Sequence, residues 1–364
     1  MGDVGMIADV GSLMTQEEFD AQVRPYVGPF PSIPHHFDIE NVSDAELMHY
    51  GLVPRPDKKN ERLFALWLAL VTTPSLTKPK KTGHKPLVVP IDYRLGFSQP
   101  IGGGQQETSR NWSGIATEAK GGRSFKTIYG QWQLPKMQMP AGGQSKPFAC
   151  SMWIGLDGHD PTSSSMPQIG VTMSMIWTHN AWRPHYQAWS QWWQRDQRNP
   201  VNAIPGFPVA ENDVIVCGLS ISSAFVVLLN IANLTQNCAA PPFTMLAPFI
   251  PTQTLPLPVF RFYGVRGHTA EWIAERPKEM NPSGKNETYF PLPDFDTVKF
   301  DNCFVQGSSP LLFSGLTPSR VIRMQEMVRT PQPRSQILSR ARKDAIDPYH
   351  KFVVGPGIEK AMCA

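Results

Sequence analysis

The chain has 364 residues, more than a typical single domain and enough to bury a sizeable core. Only 18% of its residues are charged and 36 are proline, a balance that suits a loop-rich β protein better than a helical bundle. The net charge of +4 is mild, and no basic patch beyond KPKK (Lys78 to Lys81) speaks for a nucleic-acid partner.

Residues 1 to 106 read as a polar, proline-punctuated leader or propeptide-like segment with short helices. Met1 to Met14 lacks the basic start and long apolar run of a signal peptide. Helix signals occur at TQEEFDAQV and at SDAELMHYG, where Ser43 and Glu46 have the spacing of a capping box. A third helix is expected from Asn60 to Val71; its apolar run LFALWLALV is too short to cross a bilayer, so it reads as an amphipathic or buried helix. Gly102 to Gly104 look like a flexible linker.

From Asn111 to Cys303 the pattern becomes β. FKTIYGQWQLP, HYQAWSQWW, DVIVCGLSI, AFVVLLNIANLT and AEWIAE are short aromatic or β-branched runs separated by Gly, Pro and Asn. Their spacing predicts an all-β, two-sheet antiparallel sandwich spanning residues 107 to 355, with 356 to 364 as a tail. After Cys303 the pieces VIRM and KFVV are expected as late strands closing the sandwich. The five cysteines form no CxxC pair, which argues against zinc; they leave room for one or two disulfides with at least one thiol left over. Asn41, Asn111, Asn233 and Asn286 match glycosylation sequons, relevant only to a secretory route.

Two-residue periodicity places Glu271, Ile273 and Glu275 on one strand face and Ala270, Trp272 and Ala274 on the other. The two carboxylates are expected about 7 Å apart along the strand, close enough to oppose simultaneous ionisation. Taken by spacing alone, they read rather as two ordinary glutamates on a solvated edge. In HYQAWSQWW, Tyr186, Ala188, Ser190 and Trp192 share one face, while Gln187, Trp189, Gln191 and Trp193 share the other. One set suits a groove for a peptide or a sugar, although core packing is the commoner role of a tryptophan. His159 and Asp160 in DGHDP suit a metal, but such a pair usually just makes a turn. No GxSxG, HExxH or phosphate-binding glycine loop is present.

In order, NWSG, YGQWQLP, WIGLDG, PQIG, HYQAWSQWW, NLT, AEWIAE and PDFDTVKF with DNC resemble the motifs of the glutamic peptidases, the eqolisin or G1 family. The resemblance runs from about Asn111 to Cys303, and YGLVPRPDKKNERLFALWL resembles the region before the catalytic domain of bacterial relatives. It implies a lectin-like sandwich and an endopeptidase that works best at acidic pH. Gln168 and Glu271 would be the catalytic dyad, supported by Trp153, Asp157 and Glu275, with Tyr186, Trp189 and Trp193 shaping the substrate groove. It further implies a protein or peptide substrate, no metal or other cofactor, no nucleic-acid or membrane partner, a monomer, and a secreted location despite the missing signal. Gln187, Gln191 and Thr172 stand where relatives commonly carry acids, Met166-Pro167 replaces the usual residues before Gln168, and the interval from Trp153 to Gln168 is one residue longer. Two rivals stand beside this reading: a sandwich without activity that binds carbohydrate or peptide through its tryptophans, and an interaction protein whose N-terminal region covers the cleft.

Overall fold

The computed structural model describes residues 11–34, 36–76, 93–94, 106–139, 147–178, 180–195, 197, 199–251, 259–279, 288–307, 312–314, 319–328, 334–347 and 350–356. The expected glycine linker, the KPKK run, the Asn286 sequon, Cys363 and nearly all of the tail lie outside them.

Twelve strands carry the fold: β1 (Trp112–Glu118), β2 (Phe125–Gln133), β3 (Phe148–Leu156), β4 (Ser165–Thr178), β5 (Ala181–Gln194), β6 (Val214–Ser223), β7 (Val226–Asn233), β8 (Thr269–Glu275), β9 (Val298–Gly307), β10 (Ser319–Val328), β11 (Arg334–Lys343) and β12 (Phe352–Pro356). One sheet runs β5-β4-β3-β8-β1-β10-β11-β12 and the other β12-β9-β2-β6-β7, all antiparallel and joined at β12. The expected all-β sandwich is therefore present, with VIRM in β10 and KFVV in β12 closing it. Alternation along each strand sends one set of side chains into the space between the sheets. That core holds Trp272, Ala270 and Ala274 from β8, Met152 and Ile154 from β3, and Trp132 and Ile215 from the facing sheet.

The N-terminal helices form where their caps predict. α1 (Gln16–Val23) and α2 (Asp44–His49) each start on a complete capping box, Thr15 with Glu18 and Ser43 with Glu46. α3 (Glu61–Thr72) starts on Asn60, whose side chain accepts the Leu63 N–H. It buries Leu63, Leu66, Trp67 and Leu70 against Tyr129, Val216 and Phe304 on the outer face of the second sheet. Gly218 makes the approach possible, because a Cβ there would sit 2.9 Å from Leu70. Residues 12–15 pair with Val259–Phe262, and Phe19 stacks on Phe262 at 4.1 Å within the intersheet core. The described part of this region up to residue 76 thus packs on the second sheet and the core, away from the face that carries Gln168 and Glu271.

Cys150, Cys217, Cys238 and Cys303 are buried and form no disulfide among the described residues. Burial raises the thiol pKa of Cys150, Cys217 and Cys303. Asn111 and Asn233 are buried too, which leaves no room for a glycan at those sequons.

Candidate active site

Register brings the two separated residues together. Glu271 on β8 is the partner of Gly155 on β3, and Gly155 is the partner of Gln168 on β4. Residues in one lateral row project to the same face, so Glu271 and Gln168 rise on either side of a position that has no side chain. Two strand spacings place their backbones about 10 Å apart. Gly155 is required there: a Cβ would meet the Trp153 ring at 3.0 Å, the Pro167 carbonyl at 3.1 Å and Gln168 Cβ at 3.3 Å. Pairing between β3 and β4 ends at Gly155 and Gln168, so Pro167 falls just beyond the last paired position and leaves the Gln168 register intact.

Both side chains are fully buried, and each keeps one oxygen, Gln168 Oε1 and Glu271 Oε2, without a hydrogen-bond partner among the described residues. A buried polar atom left unpaired costs about 1–3 kcal/mol, so such a pair is retained where a ligand or water satisfies it. The row continues to Gln191, whose Nε2 donates to the Asn199 carbonyl. That carbonyl can only accept, which fixes the Gln191 amide and leaves its Oε1 to accept from Gln168 Nε2 at 2.7 Å. One Gln168 N–H is spent on this bond and the second is not.

Glu271 Oε1 accepts the His159 backbone N–H at 2.9 Å. Burial pushes the Glu271 carboxyl up to about 8, and the nearby Asp157 charge adds to the rise, against lowering by the Thr269 hydroxyl and backbone amides. Asp157 adopts a left-handed backbone with φ of 67°. Its buried carboxylate accepts backbone N–H groups from Arg266, Gly267, His268 and Thr269, tying down the turn that feeds β8. Burial raises the Asp157 pKa, although these amides oppose the shift.

Glu275 is held separately, by Trp153 Nε1 at 2.9 Å and by Asn111 Nδ2 at 2.9 Å. Here the sequence expectation needs correction. Four residues separate the two glutamates, which at ~3.4 Å per residue is about 14 Å and not 7 Å. Their mutual repulsion therefore does not set the Glu271 proton affinity; burial does, with Asp157 rather than Glu275 as the acidic neighbour.

Trp189 and Trp193 lie on the dyad's face, in an apolar cluster with Trp112, Trp153, Met166 and Ile273. Tyr186 does not: it lies on the opposite face of β5, packs against the intersheet core, and its hydroxyl donates to the Pro135 carbonyl. It is thus removed from the groove predicted for it. His159 and Asp160, read as a turn, do more than turn the chain. His159 Nε2 meets Glu107 Oε2 at 2.8 Å, and Asp160 meets His268 Nδ1 at 2.9 Å while accepting from Thr162. Glu107 had no motif to mark it, since its partner is 52 residues away.

The peptidase A4 family model matches residues 110–336, more than half of the chain. This chain belongs to the peptidase A4 family. Its members are the G1 glutamic peptidases, so the protein is a peptidase. Among solved structures, a scytalido-glutamic peptidase with a transition-state analogue inhibitor is 19% identical with a TM-score of 0.48, over 68% of this peptidase and 98% of that chain. SCP-B, an eqolisin in complex with the tripeptide Ala-Ile-His, is 20% identical with a TM-score of 0.46 over 68% and 98%. Aspergilloglutamic peptidase from Aspergillus niger is 17% identical with a TM-score of 0.39 over 57% and 99%. No curated protein matches the peptidase at significance.

Proposed function

We propose that this peptidase is an endopeptidase acting on unfolded protein or peptide, with Glu271 and Gln168 as its catalytic dyad. The observation that carries the reading is the shared row: two buried side chains, each with an unpartnered oxygen, flank Gly155 on one face. Ionised Glu271 takes a proton from a water bound between them as that water attacks the scissile carbonyl. The spare N–H of Gln168 donates to the carbonyl oxygen as it becomes an oxyanion, and Gln168 Oε1 orients the water. The tetrahedral intermediate then collapses: protonated Glu271 returns its proton to the amide nitrogen, the C–N bond breaks, and a carboxylic acid and an amine leave. Asp157 and the His159 amide position Glu271, and Trp153 with Glu275 brace the neighbouring row. Trp189 and Trp193 shape the groove.

Because Glu271 must be ionised to act as the base, the acid limb of kcat/KM follows its free-enzyme pKa. Burial raises that pKa above 4.5, so we place the limb, and with it the best activity, at higher pH than an ordinary carboxylate would give. Digestion of casein or another denatured protein across pH 3 to 8 tests the reading, with wild type beside Glu271→Gln and Gln168→Ala. Loss of cleavage in both variants, with wild-type activity resistant to pepstatin and chelators, is the expected result. Cleavage that survives both substitutions sinks the dyad. A wild type that binds peptide or sugar without cutting would instead favour the tryptophan-groove binder.

A further inference from the structure

A charge cluster of four side chains sits beside Glu271, and one of the four comes from outside the stretch that matches the family. Glu107 lies on residues 106–109, which run parallel to β10 and precede the matched residues 110–336. Its side chain is almost wholly buried and accepts from two directions, His159 Nε2 at 2.8 Å and Arg320 Nη1 at 2.5 Å. Arg320 also meets Glu118 at 2.8 Å, and Glu118 lies 3.9 Å from His159 Nδ1. Arg320 stands in the dyad's own row, since its partner Ala116 is in turn the partner of Glu271. The imidazole is thus held at Nε2 by Glu107 of the 106–109 strand, while its Nδ1 has no hydrogen-bond partner among the described residues. The backbone N–H of the same residue holds Glu271 Oε1 and meets the Thr269 hydroxyl.

Burying Glu107 acts to raise its pKa, yet the bonds from His159 and Arg320 outweigh burial and hold it below the ordinary value. A buried carboxylate with a cation and an imidazole on its two oxygens is costly to break by removing one partner, which makes it a rigid anchor. The Gly158 to His159 segment lies in the connection between β3, which ends at Leu156, and β4, which begins at Ser165.

We propose that Glu107 is a positioning residue for Glu271 that acts through His159: it fixes the imidazole, and so fixes the backbone N–H that aims the Glu271 carboxylate. The proposal rests on the dyad reading above. It also implies that any maturation cut falls before Glu107, since a chain starting at Asn111 lacks the anchor.

The test uses full-length peptidase and compares Glu107→Ala, Glu107→Gln and Glu271→Gln for kcat, KM, the pH profile of kcat and the fraction of folded protein. Glu107→Ala is expected to lower kcat at least about tenfold through misplacement, with KM within about twofold. Its acid limb should move to higher pH, because the His159 N–H that favours ionised Glu271 is loosened. Glu107→Gln still offers an oxygen to His159 and should recover most of the lost kcat. Should the alanine variant not fold, His159→Ala keeps the amide but removes the grip, and the same loss and upward limb are expected. Wild-type kcat and limb in the alanine variants overturn the proposal, as does a glutamine variant no better than alanine. An active Glu271→Gln variant instead overturns the dyad itself, whereas its inactivity beside a normal Glu107→Ala removes only the positioning role.

Discussion

At the scale of single residues, the proposed chemistry depends on one carboxyl group kept in a place that resists its charge. Glu271 is fully buried, and its pKa is pushed from 4.5 up to about 8. Between those values the native state keeps a proton that the unfolded chain has lost, so this group lowers stability as pH rises across that interval. Glu271→Gln removes the penalty while preserving shape. We expect the variant to lose activity and yet to melt higher than wild type at pH 7, by at least about 2 °C, with no gain at pH 4. A thermal melt at the two pH values checks the sign; a variant that melts lower at pH 7 contradicts it. The sequence singled out both dyad residues by their motifs. It could not show the raised pKa, because burial comes from strands far away in the chain. Nor could it show that Gly155 stands between the two, since that follows from the register of three strands. The expected Glu271 and Glu275 coupling failed on simple geometry, and each glutamate proved to have its own partners.

Among the elements, the outer helix is the one whose role the sequence left open. α3 reads as a helix from its apolar run, but whether it covers the cleft or the back of the sandwich depends on tertiary packing. It covers the back. Trp67 is fully buried there and its Nε1 donates to the Val53 carbonyl at 3.0 Å. Asn230 of β7 accepts the Val53 N–H and donates to the Gly51 carbonyl, stitching the segment to the sheet. Trp67→Ala should therefore cost about 3–5 kcal/mol in denaturant unfolding while leaving KM unchanged in the protein that remains folded. A loss below about 1 kcal/mol, the range of surface substitutions, would mean that the helix does not dock as described. Strand faces were far more legible. The alternation in HYQAWSQWW put Trp189 and Trp193 together and Trp192 opposite, as the structure has them. Which face was the groove was not legible, and Tyr186 fell on the core side.

For the whole molecule, the N-terminal region is part of the same packed body as the sandwich. Residues 12–15 pair with the strand Val259–Phe262, Phe19 enters the intersheet core, and Arg62 pairs with Asp347 near the C-terminal strands. The reading of residues 1 to 106 as a releasable leader thus acquires a physical condition. Cutting the chain in the glycine-rich stretch should leave the N-terminal fragment bound to the sandwich through apolar burial, and the two should elute together under native conditions. Clean separation of a folded, active C-terminal fragment would show that the docking is dispensable. The measurement that reaches the central claim most directly is kcat/KM of Glu271→Gln on a fluorogenic peptide at the wild-type optimum, with folding checked on the same sample. A folded variant slowed by at least about a thousandfold, near 4 kcal/mol of transition-state stabilisation, is the predicted result. A folded variant within about tenfold of wild type would contradict the assignment of Glu271 as the base.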